Sequence, residues 1–285
     1  MIPLAQALNE AAERLAGAGV PSPRADAELL AGHILGLGRG AVQARALAGA
    51  LLDDPDAVAL RELVARRAAR EPLQHITGVA HFRHLTLSVG PGVFVPRPET
   101  ELVAQLAIDA LAAVPGPEPV AVDLGAGSGA IAIALATEVP HARVFAVEIS
   151  PDAFVWAKLN ARAAGASGLT LVLGDLRDAL PELNGAVDLV VSNPPYVPDA
   201  AVPRDPEVRF HDPELALYGG EDGLDLVRAV GATARRLLRP GGALVIEHAE
   251  VQGEAVRGLL AESGWRAPAT HPDLLGRPRA TTALR

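Results

Sequence analysis

The chain has 285 residues, of which 49% are hydrophobic and 21% charged, a mixture that buries a sizeable core and excludes a disordered chain. Cysteine is absent, which excludes disulfides, thiolate metal sites and cysteine nucleophiles. The net charge of −9 argues against stable nucleic-acid binding through phosphate contacts, which calls for a basic face.

Met1 to Val20 shows no basic leader ahead of an apolar run, and Glu10, Glu13 and Arg14 interrupt it. Leu4, Leu8, Ala12 and Leu15 fall at helical spacing instead and predict an amphipathic helix. The longest uncharged apolar stretch, 124–137, contains three glycines and is too short to span a bilayer, so the expected location is the cytoplasm. Ser22-Pro23 reads as a cap with proline in the first turn of a helix over 25–37. Asp54-Pro55 repeats the signal before a helix over 58–70, and Gly36, Gly38 and Gly40 punctuate the middle. Residues 1–75 thus form a small helical bundle without evident chemistry. Arg61, Arg66, Arg67 and Arg70 read as a solvated basic face.

From Gln74 to Val95 the texture becomes extended. Leu85 to Val89 alternates with period two and Gly90-Pro91-Gly92 marks a turn, so 76–95 reads as a β-hairpin linker. His75, His81 and His84 are too loosely spaced for a metal site and read as solvated. Residues 96–285 alternate helix and strand. Helices are expected over 98–114, 130–138, 153–164, 224–238 and 250–263, and strands over 120–124, 143–148, 169–173, 187–192 and 243–247. An edge strand is expected over 281–284. Short apolar runs separated by helices imply a parallel sheet covered on both faces, a doubly wound, Rossmann-like α/β fold. Its ligands belong at the carboxyl ends of the strands.

Val120-Ala121-Val122-Asp123-Leu124-Gly125-Ala126-Gly127-Ser128-Gly129-Ala130 runs from a buried strand through a glycine loop into a helix. Glycine allows a sharp turn and close backbone approach, and the helix start offers free N–H groups. Asp123, Gly125, Ala126, Gly127, Ser128 and Gly129 are the candidate cofactor residues. Glu148 closes the next strand, where a carboxylate accepts from ribose hydroxyls or is simply solvated. Asp175 and Leu176 follow the third strand, placed for the amino group and face of an adenine, although Gly174-Asp175 is equally a turn signal. The loop alone fits both a nicotinamide dinucleotide and S-adenosyl-L-methionine.

Asn193-Pro194-Pro195-Tyr196 follows the fourth strand and distinguishes between them. The Asn193 side chain and the Pro194 carbonyl supply two acceptors for the hydrogens of one NH₂ group. The prolines fix the backbone before substrate arrives, and Tyr196 offers a flat face for a planar group. An amide or aromatic amine has a delocalised lone pair; acceptors on its hydrogens orient that pair and favour the charge growing on nitrogen. Asn193, Pro194 and Tyr196 are therefore the candidate catalytic residues, with Pro195 completing the substrate grip and Asn193 also bordering the cofactor. A nicotinamide oxidoreductase leaves this tetrapeptide idle, and a non-catalytic nucleotide-binding module would bind cofactor without transferring methyl.

With these motifs the sequence resembles the HemK-type release factor glutamine methyltransferases. Pro96-Arg97-Pro98-Glu99-Thr100-Glu101, the cofactor loop, the tetrapeptide and the run from Ala216 to Asp225 look like that family's signatures. His211-Asp212-Pro213 and Glu247-His248-Ala249 depart from the aromatic-Glu-Pro and Glu-His-Gly common there. The resemblance implies S-adenosyl-L-methionine as cofactor and peptide chain release factors as partners, methylated on the glutamine of their Gly-Gly-Gln loop. It also implies a substrate-docking role for residues 1–75 and a methyltransferase domain over 96–285. The tetrapeptide is shared with adenine and guanine methyltransferases, so a nucleic-acid base is the alternative substrate.

Overall fold

Helix α1 (Leu4–Gly17) follows the short strand β1 (Ile2–Pro3) and buries Leu4, Ala7, Leu8, Ala11 and Leu15 on one face, with Ala12 partly buried beside them. Helix α2 (Pro23–Leu35) carries its proline in the first turn and ends on Gly36 in the left-handed conformation, but Ser22 makes no side-chain cap. Helix α3 (Arg39–Leu47) leads to β2 (Leu51–Leu52), antiparallel to β1. Helix α4 (Asp54–Ala68) is capped by Asp53, whose Oδ1 accepts from the Asp56 N–H at 2.8 Å. Asp54 instead occupies the first turn and pairs with the terminal ammonium of Met1. The extended linker starts later than the sequence suggests. Helix α5 (Leu73–Thr77) takes up Gln74 to Thr77 before β3 (Val79–Phe82) and β4 (Leu85–Ser88) form the hairpin.

Beyond the hairpin come α6 (Thr100–Ala112), β5 (Val120–Leu124), α7 (Ala130–Glu138), β6 (Arg143–Glu148), α8 (Pro151–Ala163), β7 (Leu169–Leu173) and β8 (Val187–Ser192). They are followed by α9 (Pro206–His211), α10 (Asp225–Leu237), β9 (Leu238–Glu247), α11 (Gly253–Glu262), β10 (Arg266–Pro272) and β11 (Pro278–Leu284). Seven strands form one sheet in the order β10-β11-β9-β8-β5-β6-β7. Strands β9, β8, β5, β6 and β7 run parallel, and β11 lies antiparallel between β9 and β10. The expected edge strand at 281–284 is therefore interior, because β10 adds outside it.

Alternate residues of the central strands feed two cores, Ala121, Leu189 and Val191 facing one way and Val122, Leu124 and Val190 the other. That alternation is the two-sided burial that parallel strands require. Strand β5 is first in the chain among the sheet's strands, yet β6 and β8 flank it on opposite sides. Such a reversal opens a crevice at the carboxyl ends of β5 and β8, and there the glycine loop and tetrapeptide lie.

The computed structural model describes residues 1–285 and divides into two units, 1–79 with 203–211 and 80–202 with 212–285. Segment 203–211 lies within the 96–285 stretch of the sequence, but its contacts are with the helices. Buried Glu207 accounts for this: its carboxylate takes Arg70 Nε at 2.8 Å and Arg67 Nη1 at 2.7 Å. Arg67 also donates to Asp26 at 2.8 Å. The arginine run is thus not a uniformly wet face; Arg67 is buried because acidic partners meet it from α2 and α9.

Candidate active site

Gly125, Gly127 and Gly129 all have positive φ, of 82, 55 and 84°, a conformation that a side chain would strain. Their roles differ. A Cβ added at Gly125 or Gly127 meets nothing within 4 Å, so backbone there is open to a ligand, whereas at Gly129 it would come within 3.0 Å of Ile133. Gly129 serves the packing of α7, and the other two leave a cradle. Ala126 and Ser128 are buried between them.

Asp123, at the end of β5, is fully buried, and neither of its carboxylate oxygens has a side-chain or backbone partner within normal hydrogen-bond geometry. Burial pushes its carboxyl up to about 7, and nearby Glu148 adds to the effect. Glu148, at the end of β6, clasps the loop: Oε2 accepts from the Gly127 N–H and Oε1 from the Ser150 N–H, each at 2.7 Å. Each oxygen retains a second lone pair. Asp175 sits beyond β7, next to Gly174, whose N–H donates to the Glu148 carbonyl at 2.8 Å. The Arg177 N–H donates to Asp175 at 2.9 Å and holds its carboxyl below the ordinary value. Asp175 is also ion-paired with the Arg177 side chain, so it makes its own turn. Leu176 packs partly buried beside it.

The tetrapeptide leaves β8 without secondary structure of its own. Buried Ser192 donates to the Leu124 carbonyl at 2.6 Å, which ties the last residue of β8 to the last residue of β5. The tetrapeptide and glycine loop thereby start from one fixed point. Beyond it, the Val197 N–H donates to Leu217 O at 2.8 Å, the Gly219 N–H to Val197 O at 2.9 Å, and Gln252 Nε2 to Tyr196 O at 3.0 Å. The 216–225 run is thus a brace. A Cβ at Gly219 would lie 2.5 Å from Pro195 O and one at Gly223 2.4 Å from Tyr196 O, so only glycine lets the brace approach the tetrapeptide.

Two residues that the sequence left unassigned, Thr100 and Glu247, meet the tetrapeptide here. Asn193 Nδ2 donates to Thr100 Oγ1 at 3.3 Å, which leaves Asn193 Oδ1 as the unengaged end of the amide. The Tyr196 hydroxyl donates to Glu247 Oε1 at 3.5 Å. Burial pushes the Glu247 carboxyl up to about 7, against an opposing hydrogen bond from Thr100, and burial also raises the Tyr196 phenol above its usual range. Arg97 donates to buried Asp212 at 2.6 Å and lies over the Phe94 ring. Each of the two runs that depart from the family pattern thus contains a carboxylate with a partner, Asp212 for Arg97 and Glu247 for Tyr196. His84, by contrast, faces Thr137 and Glu138 on α7. No helix is long and apolar enough to cross a membrane.

Residues 6–78 match the family described as PrmC N-terminal domain, and 117–265 one described as a methyltransferase domain. A release factor glutamine methyltransferase of Streptomyces coelicolor is 56% identical over 277 residues, covering 96% of this chain and 95% of that one. A 4-amino-L-phenylalanine/4-methylamino-L-phenylalanine methyltransferase of Streptomyces pristinaespiralis is 45% identical, over 94% of this chain and 91% of its own. Among solved structures, a methyltransferase from Pyrococcus furiosus superposes with a TM-score of 0.50 at 18% identity, covering 71% of this chain and 89% of that one, a likeness of fold. The sheet, the open glycine cradle and the domain match define an S-adenosylmethionine-dependent methyltransferase. More narrowly, the chain belongs to the release factor glutamine methyltransferase family.

Glu148→Ala is expected to weaken S-adenosylmethionine binding at least about tenfold. It removes a charged acceptor whose hydrogen bonds contribute roughly 1.5–3 kcal/mol each, and it frees the Gly127 N–H that shapes the loop. Titration calorimetry measures this directly; unaltered affinity removes Glu148 from the site.

Proposed function

We propose that the protein transfers the methyl group of S-adenosylmethionine to the side-chain amide nitrogen of the glutamine in the Gly-Gly-Gln loop of peptide chain release factors. The 56% identity over nearly the whole chain to a protein named for that reaction carries the reading, and the tetrapeptide's geometry supports it. Bound S-adenosylmethionine supplies an electrophilic methyl on a sulfonium sulfur. Asp123, Gly125, Ala126, Gly127, Ser128 and Glu148 would hold it, with Asp175 and Leu176 on the adenine side. Asn193 Oδ1 and the Pro194 carbonyl accept from the two amide hydrogens, which turns the nitrogen lone pair towards the methyl and favours the positive charge that forms on nitrogen. The methylated nitrogen then gives one of those protons to solvent water, as the positive charge carried by the sulfonium has passed to it with the methyl group. Pro195 and Tyr196 confine the planar amide. Residues 1–75 serve as a docking surface for the release factor, and the reaction takes place in the cytoplasm without stable nucleic-acid binding.

The Streptomyces pristinaespiralis relative gives an aromatic amine as a second candidate substrate, since it too presents a conjugated NH₂. Incubation with labelled cofactor and intact release factor, 4-amino-L-phenylalanine, DNA or RNA, followed by mass spectrometry, separates these. Label on the glutamine of Gly-Gly-Gln is the expected result; label on the amine or a nucleobase overturns it.

A further inference from the structure

The amide of Asn193 has two ends of nearly equal size, and only Oδ1 can accept from a substrate N–H. A half-turn about its last torsion would aim Nδ2 there instead, setting donor against donor. The neighbouring prolines restrain the backbone and leave that torsion free. Something outside the tetrapeptide must therefore choose.

Thr100 makes that choice. It is buried at the start of α6, where the 96–101 segment enters the helix, and its Oγ1 accepts from Asn193 Nδ2 at 3.3 Å. A hydroxyl carries one proton, and the Thr100 hydroxyl faces Glu247, fully buried at the end of β9, where it opposes the effect of burial on that carboxyl. Tyr196 Oη donates to the same carboxylate at 3.5 Å. With its proton turned towards Glu247, Thr100 Oγ1 presents a lone pair to Asn193, as the observed bond shows. It attracts the NH₂ end and repels the carbonyl end. The Asn193–Thr100 and Tyr196–Glu247 bonds together join three segments far apart in the chain.

We propose that Thr100, anchored by Glu247, is a positioning residue that holds the Asn193 amide with Oδ1 turned to the methyl-accepting nitrogen. This rests on the reading of Asn193 as the acceptor for that nitrogen. The test uses the full-length protein at pH 8.5, above the value of about 7 near which Glu247 takes up a proton. Thr100→Val keeps the shape and removes the hydroxyl; Thr100→Ser keeps the hydroxyl. Kinetics are measured on whichever substrate the wild type methylates, with cofactor affinity by calorimetry. Thr100→Val is expected to lower kcat about ten- to a hundredfold, less than the roughly 10²–10³ for removing a group that itself meets the developing charge, with cofactor affinity changed less than about threefold. Thr100→Ser should stay within about threefold of wild type, a rescue that a pure packing role would not give. If Thr100→Val fails to fold, Thr100→Ala carries the same expectation. Wild-type turnover in the hydroxyl-free variant, or equal loss in Thr100→Ser, overturns the proposal. A wild type that leaves release factor unmodified overturns only the substrate reading.

Discussion

Asn193→Ala is expected to lower kcat for release-factor methylation by about 10²–10³, the usual effect of removing one group aligned with developing charge. Cofactor affinity should stay within a few-fold, because the glycine loop and Glu148 belong to other strands. The size of the effect follows from the substrate. An amide nitrogen is a poor nucleophile, and the Pro194 carbonyl alone cannot hold both of its hydrogens. Ser192 remains bonded to Leu124, so the strand end keeps its place and only the acceptor disappears. Single-turnover methylation with saturating cofactor checks this. A variant that keeps most of its turnover would remove Asn193 from the mechanism.

The central strands β5, β6, β7 and β8 were legible to the residue because each is a short apolar run bounded by glycine, proline or a charge. Strand β10 was not, since Arg266 to Pro272 contains two prolines and is largely exposed, as an edge strand allows. Helix α3 escaped because it buries only Val42 and Ala46 and follows the Gly36–Gly40 stretch, which reads as loop. The same contrast holds at the site. The glycine loop and tetrapeptide are contiguous, so one segment displays the chemistry. Thr100, Ser192, Asp212 and Glu247 acquire their roles from partners 51 to 115 positions away, as between Arg97 and Asp212, and no local pattern marks such a pairing. Arg67 and Arg70 mislead for that reason: their partner Glu207 lies in a short helix well beyond the catalytic strand.

Glu207→Ala is expected to destabilise the helical unit by about 3–5 kcal/mol, the cost of stranding buried charges when one partner of an ion pair is removed. Arg67 and Arg70 would both lose their carboxylate, although Arg67 would keep Asp26. For a unit of this size such a loss lowers Tm by on the order of 10 °C or more. Burial opposes ionisation of Glu207, but hydrogen bonds from Arg70, Asp205 and Arg67 outweigh it and hold the carboxyl at about 2. A folded-state value below the unfolded one, roughly 4.3, makes the stabilisation fully present above pH 4.3 and removes it as pH falls through 2. The gap in Tm between wild type and Glu207→Gln should therefore be widest near neutral pH and close in acid. Equal melting temperatures at pH 7 would show that the pair holds nothing. The same pairing bears on the proposed docking role of residues 1–75. Segment 203–211 begins seven residues after Tyr196, and deleting 1–75 removes its arginine partners. A truncated protein that methylates poorly has then lost either the docking surface or the anchor of the chain leaving the tetrapeptide. Full-length Glu207→Gln separates these, because it releases the segment and leaves the helices in place. If docking is the main function of the helices, Glu207→Gln should methylate release factor far better than the truncation does, at a temperature where it remains folded.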